Sequence, residues 1–193
     1  AVWGELVPEA LGAPIAYAIR ARVVLLRDLG SAISPTNSFH IIQGLETLPL
    51  RFRVHQENTE KVANFLSSRS EVSKVIYPGF HKDAEDINRT KKYLQNGNGP
   101  LVGFELKGGR DAGQQFINNL KLIYHVANIG DVRTLAIHPA STTHSQLSVE
   151  DQLKTGVTPG YVRLAVGIEH IDDILEDLTQ AIENIELQTT KVA

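Results

Sequence analysis

The run Tyr161-Val162-Arg163-Leu164-Ala165-Val166-Gly167, followed by residues 171–187, decides the fold. In the first part Val162, Leu164 and Val166 alternate with Arg163, Ala165 and Gly167, the two-residue period of a strand. In the second, Ile171, Ile174, Leu175, Leu178, Ile182 and Ile185 recur at three- and four-residue spacing, the apolar stripe of an amphipathic helix. Asp172 and Asp173 near its start suit the positive end of the helix dipole. A strand running into a helix that must bury one face calls for helices layered on a sheet.

The same punctuation extends upstream. Ser148 caps a short helix over 149–154, and residues 134–137 and 124–127 read as short strands. A Gly108-Gly109 turn separates a strand over 101–106 from a helix over 111–120. Residues 72–77 read as a strand ended by Pro78-Gly79, and 83–94 as a surface helix rich in Lys and Asp. In the first third, 14–29 has helical spacing, with Pro14 near its start and Gly30 as its stop. Ser34-Pro35 starts a second helical pattern that lasts to about Arg69, with Gly44 and Pro49 inside it. Pro49 lacks a backbone donor and crowds the preceding turn, so a kink is expected there, and it is the candidate domain hinge. The order predicts an α/β (α+β) fold: two long helices, then helices packed on a small, mostly antiparallel sheet. No internal repeat is visible.

Composition narrows the function classes. The chain has 193 residues, 42% hydrophobic and 21% charged, with a formal charge of −3. That length buries a real core, and the charge lacks the basic surplus of a non-specific nucleic-acid binder. With no cysteine, disulfides, thiolate zinc sites and a cysteine nucleophile are excluded. There is also no methionine, so a chain beginning Ala1-Val2-Trp3-Gly4 is expected to be a processed form, a fragment or part of something longer. The most apolar early stretch, 11–26, carries Arg20 and Arg22, which argues against a membrane span, and no signal peptide is visible. A cytoplasmic protein is expected.

Self-contained catalytic motifs are absent. None of the seven histidines forms a metal-binding pair around a Glu, no Gly-x-Ser-x-Gly elbow occurs, and the glycine pairs read as plain turns. Two features stand out. Arg163 interrupts an apolar strand, and an unpaired buried arginine is very unfavourable. Either the strand is a sheet edge with Arg163 in solvent, the commoner situation, or Arg163 faces a cleft and grips an anion with its planar fork. Residues 134–144 run from a strand through Pro139 into Ser141-Thr142-Thr143-His144, a loop able to carry a site, although a self-capping hydroxyl turn is more usual.

Several runs carry a resemblance: Leu26-Arg27-Asp28-Leu29-Gly30, Gln43-Gly44-Leu45-Glu46-Thr47-Leu48, Asn128-Ile129-Gly130-Asp131, residues 138–144, Gly156-Val157-Thr158, and Val162-Arg163-Leu164 with Val166-Gly167-Ile168-Glu169. From about residue 15 to 186 the chain resembles the cysteine/methionine-metabolism family of pyridoxal-phosphate enzymes. Asn128-Ile129-Gly130-Asp131 and the run through Gln146-Leu147 are more similar to O-acetylhomoserine sulfhydrylases than to cystathionine γ-synthases or γ-lyases.

The resemblance implies the C-terminal part of a fold-type I pyridoxal-phosphate-dependent transferase. Residues 1–45 would be the end of the large cofactor-binding domain with a linker helix, and 46–193 the C-terminal small domain. It implies a γ-replacement in which O-acetyl-L-homoserine loses acetate and sulfide adds, giving L-homocysteine. It further implies that Arg163 binds the substrate α-carboxylate, that Asn128 and Ile129 lie along the substrate, and that Thr143 supports the arginine. Asn128 stands where the family often has Ser. None of the nine lysines matches the family's cofactor lysine, which lies upstream of the matched segment, so no catalytic residue is expected in this chain and it is expected to be inactive alone. Pyridoxal 5'-phosphate would belong to the complete enzyme, a homotetramer acting in methionine biosynthesis. The expected partners are a small amino-acid substrate, the missing N-terminal cofactor domain and further copies of the chain, with no nucleic acid and no membrane. A γ-synthase or γ-lyase relative, or a stand-alone interaction domain, is the alternative.

Overall fold

The computed structural model describes residues 15–186; the expected helix start at Pro14, helix end at Leu187 and Lys191 lie outside them. The chain divides between Thr47 and Leu48 into two compact units.

In the first unit a helical stretch runs through α1 (Ala16–Arg20), a π-helical segment (Ala21–Leu26) and α2 (Arg27–Leu29). Gly30 ends it in the left-handed conformation, at φ 66°, a position that suits a residue without Cβ. Helix α3 (Pro35–Glu46) starts at Ser34, whose hydroxyl accepts the Asn37 amide at 3.1 Å, with Pro35 at the first helical position.

The second unit opens with α4 (Leu48–Ser68). The expected kink is therefore a break at Thr47. Pro49 falls in the first turn of α4, where its missing N–H leaves no helical bond unmade. The rest follows as β1 (Val72–Ile76), α5 (Ala84–Tyr93), β2 (Leu101–Leu106), α6 (Gly109–Asn119), β3 (Tyr124–His125), β4 (Leu135–Ile137), α7 (Val149–Lys154), β5 (Tyr161–Ala165) and α8 (Ile171–Glu183). The strands form one sheet in the order β1-β2-β5-β4-β3, antiparallel except for the parallel pair β3 and β4. The predicted layer of helices on a mostly antiparallel sheet is the fold found.

One sheet face is covered by α4, α6 and α8. Val102 and Phe104 of β2 and Val162 and Leu164 of β5 point into this core, against Leu66, Phe116, Ile174 and Leu178. Phe104 and Phe116 meet edge-to-face at 5.4 Å, a favoured aromatic geometry. Because strand side chains alternate, this assignment sends Arg163 to the opposite face. It lies there in a cross-strand row Ile76–Gly103–Arg163–Ile137. With β5 paired on both sides, the sheet-edge reading of Arg163 is wrong: strand order is set by long-range pairing, which the local pattern does not encode.

Candidate functional site

Arg163 is half-buried on the central strand. Its Nη2 donates to the Ala127 carbonyl at 2.9 Å and the Asn128 carbonyl at 3.4 Å. Its Nε is buried with no hydrogen-bond partner. One corner of the fork is thus tied to the main chain, which fixes its direction, while the guanidinium keeps donors for a planar anion.

The turn that holds Arg163 is itself braced. Val126 N–H donates to Ala136 and Ile168 N–H to Val132, at 3.1 and 2.8 Å. Glu169 accepts both the amide and the hydroxyl of Thr134, and the Gly167 amide donates to that hydroxyl. A Cβ on Gly167 would lie 2.5 Å from backbone atoms of Arg133 and Thr134, so only glycine lets β5 exit this close. Gly130 turns the chain at φ 83°. The Arg133 amide and guanidinium hold the Asp131 carboxyl below its ordinary value, and Arg133 also sits 4.6 Å from the Tyr124 ring centre. Asn128 and Ile129 are left exposed at the tip.

The hydroxyl-rich loop behaves differently. His138 is fully buried, bonded to Ser141 Oγ and the Pro159 carbonyl, both at 2.8 Å. The Thr142 hydroxyl donates to the His138 carbonyl, that of Ser145 to Thr142, and the Gln152 amide to His144. The loop caps itself. Thr143 is exposed and its hydroxyl pairs with His144 Nδ1 at 2.9 Å. Arg163 and Asn128 are therefore brought together by a direct bond with Ile129 beside them, while Thr143 bonds elsewhere.

Beside Arg163, on the β2 side, lies a cavity of about 290 Å³ lined by Tyr161, Gly103, Ile76, Pro78 and Asn98 among others. Burial pushes the Tyr161 phenol above its ordinary pKa, against the opposing pull of Arg163. Larger hollows, about 370 Å³ beside Lys74 and Lys82 and about 530 Å³ beside Gln56 and Lys92, contain neither Arg163 nor the 127–131 turn. Sequence reading missed Ala127, Tyr161 and Gly103. The available signal was a glycine in mid-strand, which marks a close approach by another group.

The model of the Cys/Met metabolism PLP-dependent enzyme family matches residues 12–183. The chain belongs to that family. It is 51% identical over 185 residues to an O-acetyl-L-homoserine sulfhydrylase of Leptospira meyeri, covering 95% of this chain and 41% of that protein. To O-acetyl-L-homoserine sulfhydrylase 1 of Thermus thermophilus it is 47% identical, covering 93% and 42%. Among solved structures, a putative O-acetylhomoserine (thiol)-lyase of Campylobacter jejuni, carrying N'-pyridoxyl-lysine-5'-monophosphate, superposes with TM-score 0.80 at 43% identity, over 91% of this chain and 41% of that one. The chain thus spans less than half the length of these relatives.

The described residues do not by themselves fit a resident pyridoxal phosphate. All eight described lysines are exposed, and none lines the cavity beside Arg163. A Schiff-base lysine is thus not among the residues gathered beside Arg163. No helix among the described residues is long and apolar enough to cross a membrane.

Proposed function

We propose that this chain is the C-terminal portion of a pyridoxal-phosphate-dependent O-acetyl-L-homoserine sulfhydrylase, in which sulfide replaces acetate to give L-homocysteine. Residues 1–45 form the end of the large cofactor-binding domain with its linker, and 46–193 the C-terminal small domain. The lysine-bearing N-terminal part supplies the cofactor, and without it the chain is inactive. Arg163 binds the substrate α-carboxylate, with the Asn128-Ile129 turn beside it; Thr143 lends support through the loop rather than by direct contact. The reading rests on one observation above all: an arginine in the central strand, tethered on one side to Ala127 and Asn128, with a buried Nε lacking a partner.

Two experiments on the full-length enzyme test it. Arg163→Lys keeps the charge and loses the fork. It should weaken amino-acid binding by about 2–3 kcal/mol, as for truncated charged hydrogen bonds. That is roughly 30- to 150-fold in affinity. An unchanged KM would remove Arg163 from the carboxylate role. Assay of homocysteine formation with sulfide, against cystathionine formation with cysteine, separates a sulfhydrylase from a γ-synthase. Activity or bound cofactor in the isolated 193-residue chain would overturn the division of labour.

A further inference from the structure

We propose that Tyr161, seated over Gly103, is a positioning residue: its ring fills the space over Gly103 beside Arg163 and keeps the guanidinium at the Asn128 side, where it meets the substrate. The proposal rests on the carboxylate reading of Arg163 and adds the element that aims it.

An arginine side chain on an open sheet face has several staggered rotamers, some of which would swing it across a neighbouring strand. The strand directly opposite on one side offers no obstacle of its own, since Arg163 pairs with Gly103 in register. Tyr161 is two residues before Arg163 and shares its face. Its ring takes the diagonal position across β2: a Cβ built on Gly103 would lie 2.6 Å from Tyr161 Cε2 and 2.8 Å from its hydroxyl oxygen. The hydroxyl-bearing edge of the ring therefore occupies the space that a side chain at 103 would take. This explains a glycine in mid-strand, where glycine otherwise weakens pairing. On the other flank stands Ile137. Between these flanks runs the aliphatic stem of Arg163, and the guanidinium, its Nε buried and without a partner, is held at Ala127 and Asn128 through Nη2. Because burial raises the phenol's pKa, Tyr161 stays neutral and serves as a wall rather than as a competing counter-charge to Arg163.

The test is steady-state kinetics on full-length Tyr161→Phe, Tyr161→Leu, Gly103→Ala, the Gly103→Ala/Tyr161→Leu double variant and Arg163→Lys, with thermal melting alongside. Leu preserves an apolar body on the strand but not a flat ring; Phe preserves the ring without the hydroxyl. Tyr161→Leu should raise KM for the amino-acid substrate about tenfold and leave kcat at saturation within about twofold, the signature of lost substrate alignment in binding. Tyr161→Phe should stay within about twofold of the parent on both constants. Gly103→Ala should act like Tyr161→Leu by displacing the ring, and the double variant should be no worse than either single one, because both remove the same wall. If Tyr161→Leu and Gly103→Ala lower the melting temperature but leave KM unchanged while Arg163→Lys raises it, the positioning role is overturned and the carboxylate reading stands. An unchanged KM in Arg163→Lys overturns both.

Discussion

His138 is buried with both ring nitrogens engaged, and that arrangement sets a pH dependence. The Pro159 carbonyl can only accept, so Nε2 carries the proton and Nδ1 accepts from the Ser141 hydroxyl. Burial holds the imidazole below its ordinary 6.5, with repulsion from Arg110 and His125 acting in the same direction against the Pro159 bond. Below pH 6.5 the unfolded chain takes up a proton that the folded chain refuses, so stability falls as pH drops through that value and keeps falling until the lower folded pKa is reached. The slope is at most about 1.4 kcal/mol per pH unit for one such group. Urea titrations at pH 7.5 and 5.5 should show this loss in the parent and a flatter dependence in His138→Gln; equal slopes would refute it. The same contact constrains its neighbour. A Cβ on Gly113 would lie 2.5 Å from His138 Nε2, so Gly113→Ala overpacks a buried site. It should destabilise by about 1–3 kcal/mol, read as a shift in the urea midpoint at unchanged m.

At the level of elements, α8 does more than cover the sheet. Asp177 falls on its apolar stripe, between Ile174 and Leu178, and is buried. Its carboxylate accepts the amides of Lys121, Leu122 and Ile123, each at 2.9 Å, and the Gln180 amide at 2.9 Å. That bond set holds the chain as it leaves α6 and enters β3. Asp177→Ala strands three amides, of which that of Ile123 is buried, and should destabilise the second unit by about 1–3 kcal/mol, measured by urea unfolding; a shift below a few tenths would mean water replaces the carboxylate at no loss. Asp177 also marks what a sequence yields. The capped starts at Ser34 and Ser148 and the strand Leu101–Leu106 were legible because capping and alternation are local. The sequence reading passed over Asp177, because the three amides it holds lie more than fifty residues away. The strand expected over 124–127 is only Tyr124–His125, because it pairs in parallel with the short edge of β4. The π-helical Ala21–Leu26 has no signature in three- and four-residue spacing. For the site, the odd arginine could be seen in the sequence. Its central strand, its tether to Ala127 and the ring of Tyr161 over Gly103 depend on pairing across strands, which local patterns do not specify.

Across the whole molecule, the two units differ in how they are held together. The second has a continuous apolar core from Val62 to Ile182. In the first, the helical segments Ala21–Leu26, Arg27–Leu29 and Pro35–Glu46 contain no buried residue, while Leu29, Ile33, Phe39, Ile42 and Leu45 are each more than half exposed. Isolated helices of this length are marginal in water, and most helical stability in proteins comes from packing an apolar face. The apolar side chains of the first unit therefore call for cover that the described residues of that unit do not provide by themselves, and the N-terminal part of the proposed sulfhydrylase would supply it. Hydrogen exchange separates the two situations. In the dilute 193-residue chain, amides of Pro35–Glu46 should exchange within about tenfold of the unstructured rate, while those of β2 and β5 open only with the core. In the full-length protein the Pro35–Glu46 amides should become protected by several orders of magnitude, a gain that reflects packing and not propensity. Equal protection of Pro35–Glu46 and β5 in the monomeric 193-residue chain would mean that the first unit is stable by itself, and the dependence on the lysine-bearing part would lose its physical basis.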